Sequence, residues 1–182
     1  MIRNFLLLAL IVIVSMLWTS CENKIPVIPK SDLLTLPSIS GKNIYTVVTD
    51  SGKIQLKMFS PVVDQYEKAD PPYYEFISGL KVIVYNGLDT PQVTITSKYA
   101  KCTSNNLWEL RDSVIVVNEK AEKLETEILY WNQEKDLIYT DRFVKISTVD
   151  QITQGIGFES DSHLTRRKIT HVTAEINVTD EE

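Results

Sequence analysis

The chain has 182 residues, of which 24 are acidic and 19 basic, and its formal net charge is -5 at neutral pH. This length allows one domain with a sizeable core and leaves too little chain for two. The acidic balance argues against nucleic acid as a partner, because such binding usually rests on a basic patch that neutralises phosphates.

An uncharged apolar run extends from Phe5 to Trp18, shortly after Arg3. Such a run is an export signal or a membrane anchor and not part of the folded domain, so residues 1–21 are assigned to it. Two interpretations stay open: an uncleaved transmembrane helix, or a lipobox-like ending, Leu-Trp-Thr-Ser-Cys, with cleavage before Cys21 and lipidation of that cysteine. Both leave the remaining chain tethered to the periplasmic face of the inner membrane.

Residues 22–40 lack a usable periodicity and contain Pro26, Pro29 and Pro37, which predicts an extended tether. The domain is predicted to span residues 41–182. Its first clear signal is the turn at residues 50–52, Asp-Ser-Gly, followed by apolar residues that alternate with polar ones. This pattern predicts a β-hairpin with one solvated face.

The period-two alternation recurs along the rest of the chain and is interrupted at residues 70–72, Asp-Pro-Pro, and 86–87, Asn-Gly. No segment of comparable length has the 3.6-residue period of a helix, so the domain is predicted to be all-β. Many short alternating strands suit either a sandwich or an open roll. The last alternating set is Val172, Ala174, Ile176 and Val178.

Residues 107–158 contain an internal repeat. Asp112 precedes Val114 and Val116, Asp141 precedes Val144 and Ile146, and the valine and isoleucine pairs are each offset by 30 residues. Such a period favours stacked β units around one shared interior, and therefore the open roll. The residues predicted to line that interior are Ile54, Leu56, Met58, Val82, Val84, Val93, Ile95, Val114, Val116, Val144, Ile146, Ile152, Ile156 and Phe158.

The sequence offers no assembled catalytic group. The chain has two histidines, His163 and His171, and both are interpreted as surface residues rather than general bases. Glu125 and Glu127 lie two apart on a predicted strand, but no histidine or third acid accompanies them, so a solvated charged face explains them better. We therefore predict no catalytic residue, no metal site and no cofactor.

Three small residues have structural interpretations. Cys102 is predicted to be a small apolar core residue, and no disulfide framework is possible with so few cysteines. Gly155 and Gly157 alternate with Ile156 and Phe158, so they are predicted to point away from the interior. There they would allow a bend or a close approach of another segment rather than contact a ligand.

Several of these segments together resemble the LptC family, and most closely its Bacteroidetes-type members. The resemblance covers the region from about Gly41 to Val178. Its motifs occur in order: Leu-Trp-Glu-Leu at 107–110 with Val114 and Val116, Leu-Glu-Thr-Glu-Ile-Leu-Tyr-Trp at 124–131, Ile-Tyr-Thr-Asp at 138–141, and Gly-Ile-Gly-Phe-Glu-Ser-Asp at 155–161.

The resemblance implies an open β-jellyroll, a V-shaped β-roll of short antiparallel strands preceded by an apolar anchor. It implies a non-enzymatic role in lipopolysaccharide transport, in which the trough accepts the acyl chains of lipopolysaccharide from an inner-membrane ABC transporter. The lipid would then pass to a soluble periplasmic bridge protein of the same fold, docked at an edge formed by Val172, Ala174, Ile176 and Val178. The alternative is a generic exported lipoprotein that binds protein or carbohydrate.

Overall fold

The computed structural model describes residues 36–85, 90–104 and 106–177, and these residues form eleven β-strands and no helix. The strands are β1 (Ile39–Asp50), β2 (Lys53–Tyr66), β3 (Tyr73–Phe76), β4 (Leu80–Tyr85), β5 (Pro91–Ser97), β6 (Tyr99–Thr103), β7 (Leu107–Asn118), β8 (Lys123–Asn132), β9 (Leu137–Ser147), β10 (Gln151–Ser160) and β11 (Arg167–Asn177). The predicted hairpin is β1 and β2. Strand β1 begins at Ile39, within the segment predicted as a tether.

The strands form one antiparallel sheet that runs in the order β11-β10-β9-β8-β7-β5-β4-β2-β3-β6, with β1 paired to β2. Strands β3 and β4 both pair with β2, and β5 and β6 both pair with β7. Each of these couples is therefore one long strand that is interrupted near its middle. The chain follows an antiparallel meander from β1 to β11, which confirms the all-β prediction.

The interruptions lie side by side on neighbouring strands and form a crease across the sheet. Strand β7 has a bulge at Asp112 and Ser113, whose φ angles are 62° and 58°, and β10 has one at Gly157, with φ 77°. A bulge adds a residue to one strand and bends it. The crease divides the sheet into a first leaf, with β4, β5 and the C-terminal half of β7, and a second leaf, with β3, β6 and the N-terminal half of β7.

Both leaves bury side chains in a single hydrophobic cluster. The first leaf contributes Ile95, Val116 and Leu124, and the second contributes Leu110 and Leu129, all at most 1% exposed. One sheet can bury both of its halves in one cluster only if it folds along the crease. The result is the rolled, V-shaped β-jellyroll that the sequence predicts.

Buried hydroxyl groups stabilise the crease from inside. The Ser60 hydroxyl donates to the Gly79 carbonyl oxygen at 2.7 Å, and the Thr126 hydroxyl donates to the Phe143 carbonyl oxygen at 2.8 Å. Bulges take backbone carbonyls out of the ladder, and a buried carbonyl without a donor is costly. These polar residues therefore belong to the bend and leave the rest of the interior apolar.

Candidate functional site

The inner face of the first leaf carries rungs of aliphatic side chains that run from strand to strand. Register partners on adjacent strands share a face of the sheet. One rung passes through six strands in succession, from Met58 through Val82, Ile95, Val116 and Leu124 to Ile146. A second places Val114 and Val144 on either side of Thr126.

The residues related by the 30-residue repeat lie in the same rungs. Strands β7 and β9 flank β8, so Val114 and Val144 occupy equivalent positions, as do Val116 and Ile146. The two aspartates do not lead their strands, however. Asp112 lies within β7, at the bulge, where an aspartate tolerates positive φ better than a bulky or β-branched residue does. The repeated aspartates therefore mark the crease.

Most of the predicted lining lies on the inner face, and its middle section is fully packed. The buried members are Val82, Val93, Ile95, Val114, Val116, Val144, Ile146 and Phe158. Interiors of this kind approach the density of organic crystals, so a guest molecule has to displace side chains or separate the leaves. The middle of the described interior is a filled core.

The end of the interior nearest β1 is more open. Leu56, Met58 and Val84 are half-buried and pack against the core without being enclosed by it. Ile54 was assigned to this face wrongly: a bulge between Ile54 and Leu56 pairs it with Thr49 on the other face. Val48, the register partner of Leu56, is 43% exposed. Apolar side chains on the inner face are thus accessible at this end, and they form a surface that an acyl chain can contact without prior unfolding.

Two further predicted lining residues, both on β10, point the other way. Ile152 pairs with Ser147, and Ile156, which is 48% exposed, pairs with the exposed Phe143. Both therefore lie on the outer face, and their assignment to the interior was wrong. The bulge at Gly157 is the physical reason: it adds one residue between Ile156 and Phe158, which reverses the alternation, so that Phe158 alone is buried.

The glycines of β10 bend and pack the strand as predicted, but Gly155 faces inward. A Cβ at Gly155 would lie 2.4 Å from the His171 carbonyl oxygen and 2.5 Å from a methyl carbon of Ile169, so β11 packs directly on it. Gly157 supplies the bend, with a φ of 77°. Because Gly155 has no side chain, β11 packs closely against β10 on the inner side of the sheet.

Apart from Cys102, which was predicted to be a core residue, sequence reasoning missed the inner face of the second leaf. The buried apolar residues there are Phe76, Ala100, Cys102, Leu110, Leu129, Trp131 and Ile138. Because the bulges shift the alternation between leaves, extending a period from the first leaf could not find them. The signal lay in the second leaf's own alternation, since Leu129 and Trp131 are two apart, and Trp108 and Leu110 likewise.

The connection between β10 and β11 crosses the inner side of the roll. Leu164, in this connection, is 3% exposed and belongs to the hydrophobic cluster. With His163 and Thr165, it lines a cleft of about 340 Å³, and the lining also includes Val93 and, from the β7–β8 turn, Asn118, Glu119, Lys120 and Glu122. The Arg167 guanidinium reaches Glu122, on the turn between β7 and β8, at 3.1 Å. These contacts join the two leaves.

Internal hydrogen bonds fix the same connection. The Asp161 carboxylate accepts from the Thr165 amide at 2.7 Å and from the Thr165 hydroxyl, and it forms an ion pair with Arg166. Ser162 donates to Asp136 through its amide and its hydroxyl. Burial alone would raise the pKa of Asp161, but the donors from Thr165 and Arg166 outweigh it and hold that pKa below its ordinary value of 3.8.

The predicted docking edge lies on β11, which pairs only with β10 among the described strands. Its residues do not share one face. A bulge separates Val172, which pairs with Gly155 on the inner side, from Ala174 and Ile176, which pair with Gln154 and Ile152 on the outer side. Val178 lies outside the described residues. The strand is a sheet edge, but its alternation is broken.

The outer face carries the charged residues. Glu125 forms ion pairs with Lys123 at 2.8 Å and Lys145 at 4.0 Å, and Glu127 is exposed, which confirms a solvated face. His171 is exposed as predicted, whereas His163 is half-buried in the β10–β11 connection. Within the described ranges, no three His, Cys, Asp or Glu side chains are grouped to hold a metal ion.

Cys102 is a buried core residue, as predicted. Burial raises the pKa of its thiol to about 11, which keeps the thiol protonated at neutral pH. Cys21 and the apolar run at residues 5–18 lie outside the described residues. In the part of the chain that is described, no helix is long and apolar enough to cross a membrane.

Comparison with known proteins identifies a family. Residues 6–175 match the family described as Lipopolysaccharide-assembly, LptC-related. No curated protein matches the chain.

Proposed function

This chain belongs to the LptC family and is thus a component of lipopolysaccharide transport, and we propose that its inner face holds the acyl chains of the lipid in transit. The role is that of a conduit rather than an enzyme. The observation that carries the proposal is the continuous aliphatic inner face, with its accessible end at Leu56, Met58 and Val84. Each acyl methylene moved from water to that face contributes about 0.8 kcal/mol.

The half-buried β1 end is the natural entry for an acyl chain. There the side chains are apolar and already partly in contact with solvent, so an incoming chain replaces water rather than protein. The packed middle, around Val116 and Val144, accepts lipid only after the leaves rearrange. Lipid is therefore received at the β1 end and moves along the rungs toward β11.

Transfer needs a donor and an acceptor on either side of this domain. In the proposal, an inner-membrane ABC transporter supplies the lipid and a soluble periplasmic bridge protein of the same fold receives it. Strand β11 offers unpaired backbone groups along its outer edge, and such groups accept a strand from another sheet. Docking there would extend the inner face of this domain into that of the acceptor.

A paired substitution tests the docking edge. Ala174→Pro on β11 removes a backbone donor and should weaken co-purification with the bridge protein while leaving the fold intact. Thr46→Pro on β1, at the opposite edge of the sheet, serves as the control and should leave that interaction in place. Unchanged co-purification after Ala174→Pro would count against the β11 edge.

The tether determines where the conduit works. We propose that the N-terminal segment holds the domain on the periplasmic face of the inner membrane, either through a lipidated Cys21 or through a retained helix at residues 5–18. Intact mass of the protein extracted from membranes separates these forms. A lipid adduct on Cys21 supports the lipoprotein, and a retained Met1 supports the helix.

Photo-cross-linking from adjacent residues of β4 tests the conduit itself. Val84 faces the inner side, where it pairs with Leu56, whereas Ile83 pairs with Lys57 on the outer side. A photo-reactive residue at Val84 should capture lipopolysaccharide in cells, as should one at Val116 or Ile146. Positions Ile83 and Lys145 are the outward controls.

Capture from the outward positions alone would contradict the conduit. Absence of capture at every position, together with normal outer-membrane assembly after the gene is removed, would favour the alternative of a generic exported lipoprotein.

A further inference from the structure

The connection between β10 and β11 places one apolar side chain inside an otherwise polar segment. Residues 161–167 read Asp-Ser-His-Leu-Thr-Arg-Arg, and Leu164 is the only aliphatic residue among them. That side chain is nonetheless 3% exposed and part of the main hydrophobic cluster. Leu164 thus fills space on the inner side of the roll, where the proposed function places acyl chains.

The segment closes the interior by bridging the two leaves. The start of β11, at Arg167, pairs with Ser160 on the second leaf, whereas Glu122 follows β7 at the end of the first leaf. Their ion pair at 3.1 Å therefore spans the mouth between the leaves. Glu122 is itself held by Asn118, whose side-chain amide donates to its other oxygen at 2.7 Å.

The attachment is local and largely polar, so the segment can be released without unfolding the sheet. The contacts that hold it to the rest of the fold are those of Ser162 with Asp136, the ion pair of Arg167 with Glu122, and the single side chain of Leu164. Leu164 also holds a φ of 59°, a costly conformation for a bulky residue. The Nδ1 atom of His163 is buried without a hydrogen-bond partner in the described structure. Segments of this kind open at lower free energy than core strands.

We propose that the space filled by Leu164 beside Val93 is an acyl-chain subsite, and that residues 161–167 form a clasp that occupies it in the lipid-free protein. The inference rests on the proposed function and deepens it. Acyl chain and leucine compete for the same apolar contacts, so only the molecules whose clasp is open bind lipid in the middle of the roll. The apparent affinity there is lowered by the closed fraction.

Because of this competition, weakening the clasp changes lipid capture in the opposite direction to weakening a purely structural segment. Weakening a structural brace lowers the population of native protein and reduces lipid capture throughout the roll. Weakening the clasp raises the open fraction and increases capture in the middle, at Val116, and leaves capture at the β1 end, at Leu56, unchanged.

The test uses the purified full chain in phosphatidylethanolamine and phosphatidylglycerol nanodiscs, mixed with purified lipopolysaccharide. A photo-reactive residue stands at Val116 in one series and at Leu56 in another, and the adduct is measured by gel shift. Each series carries Leu164→Ala, Arg167→Gln or the control Lys168→Gln. Lys168 is the neighbouring cation but pairs in register with Glu159 rather than reaching Glu122.

We expect Arg167→Gln to raise capture at Val116 by about two- to fivefold, as loss of one partly exposed ion pair allows. Leu164→Ala should raise capture there at least as much, because it removes the side chain that fills the subsite. Lys168→Gln should change capture at neither position. The double substitution Glu122→Arg with Arg167→Glu restores the ion pair in reverse and should return capture at Val116 to that of the unmodified chain. This variant also guards against misfolding as the cause of any loss.

The outcomes separate the clasp from the conduit. Strong capture at Leu56, with capture at Val116 unchanged or lowered by both Leu164→Ala and Arg167→Gln, overturns the clasp and leaves the conduit standing. Absence of capture at both positions in every variant overturns the conduit itself. If the charge-reversed pair restores capture at Val116 but neither single variant raises it, the result also contradicts the clasp.

Discussion

The middle of the roll and its β1 end present the same kind of side chain in different states. Val116 and Val144, in the middle, are 0% exposed, whereas Leu56, Met58 and Val84 at the β1 end are half-buried. Aliphatic composition alone therefore does not make a binding surface. The middle stabilises the fold, and the β1 end has apolar contacts to offer a ligand at little cost to stability.

The largest expected effect tests that division directly. Leu124→Ala leaves a cavity in the packed middle and should lower the free energy of unfolding by about 2–5 kcal/mol. Leu56→Ala removes the same atoms at the open end and should cost roughly half as much or less, because water and neighbouring side chains fill the space. Chemical denaturation of the two variants measures both values. Equal losses would show that the β1 end is packed as tightly as the middle.

The crease between the leaves should give the next largest effect. Thr126→Val keeps the side-chain shape but removes the hydroxyl that bonds the Phe143 carbonyl oxygen, and should cost about 1–3 kcal/mol of unfolding free energy. Thr94→Val, on the outer face of the first leaf, is the matched control and should cost little. If both substitutions are neutral, the buried hydroxyls do not stabilise the crease.

The smallest effect concerns the clasp, which separates the middle from solvent at the β11 end. Asp161→Asn keeps an acceptor for Thr165 but removes the charge, and should destabilise the segment by about 1 kcal/mol at neutral pH. Because the folded pKa of Asp161 lies below 3.8, the stabilisation is present above that pH and is lost as the pH falls through the folded value.

Thermal unfolding from pH 7 to pH 2.5 compares the unmodified chain with Asp161→Asn. The difference between them should be constant at neutral pH and should shrink below about pH 3.8. A difference that grows with acidification would show that the charge on Asp161 does not stabilise the folded segment. The other charged side chains that line the same cleft as Asp161, and that are present in both proteins, are Lys135, Asp136, Glu159, Arg166, Arg167 and Lys168.

Alternation along the sequence predicted the first leaf well, because each side-chain position there depends only on its own strand. Leu56, Val82 and Ile95 follow period two within uninterrupted segments and lie on the inner face, as predicted. The register of β10 could not be read in this way. Gly157, with its positive φ, forms a bulge that places the preceding residues of β10 on the opposite face from the one that alternation counted from Phe158 predicts. Ile152 and Ile156 were misplaced for that reason.

The clasp was beyond sequence reasoning for a different cause. A polar segment with one leucine normally predicts an exposed loop. The burial of Leu164 depends on its place in the hydrophobic cluster and on the ion pair that joins Arg167 to the distant turn at Glu122. Such long-range contacts leave no local pattern. The second leaf was predictable in part: its strands alternate as those of the first leaf do, but the bulges at the crease shift the alternation.

The proposed conduit requires that acyl chains bind the inner face and enter at the β1 end. The most direct measurement is methyl NMR of the full chain in nanodiscs, with a lipopolysaccharide analogue that carries a spin label on one acyl chain. We expect strong signal loss at Leu56, Met58 and Val84, with the signals of the outward methyl groups of Ile83 and Ile115 preserved. Signal loss at Ile83 and Ile115, with Leu56 and Val84 unaffected, would contradict the conduit.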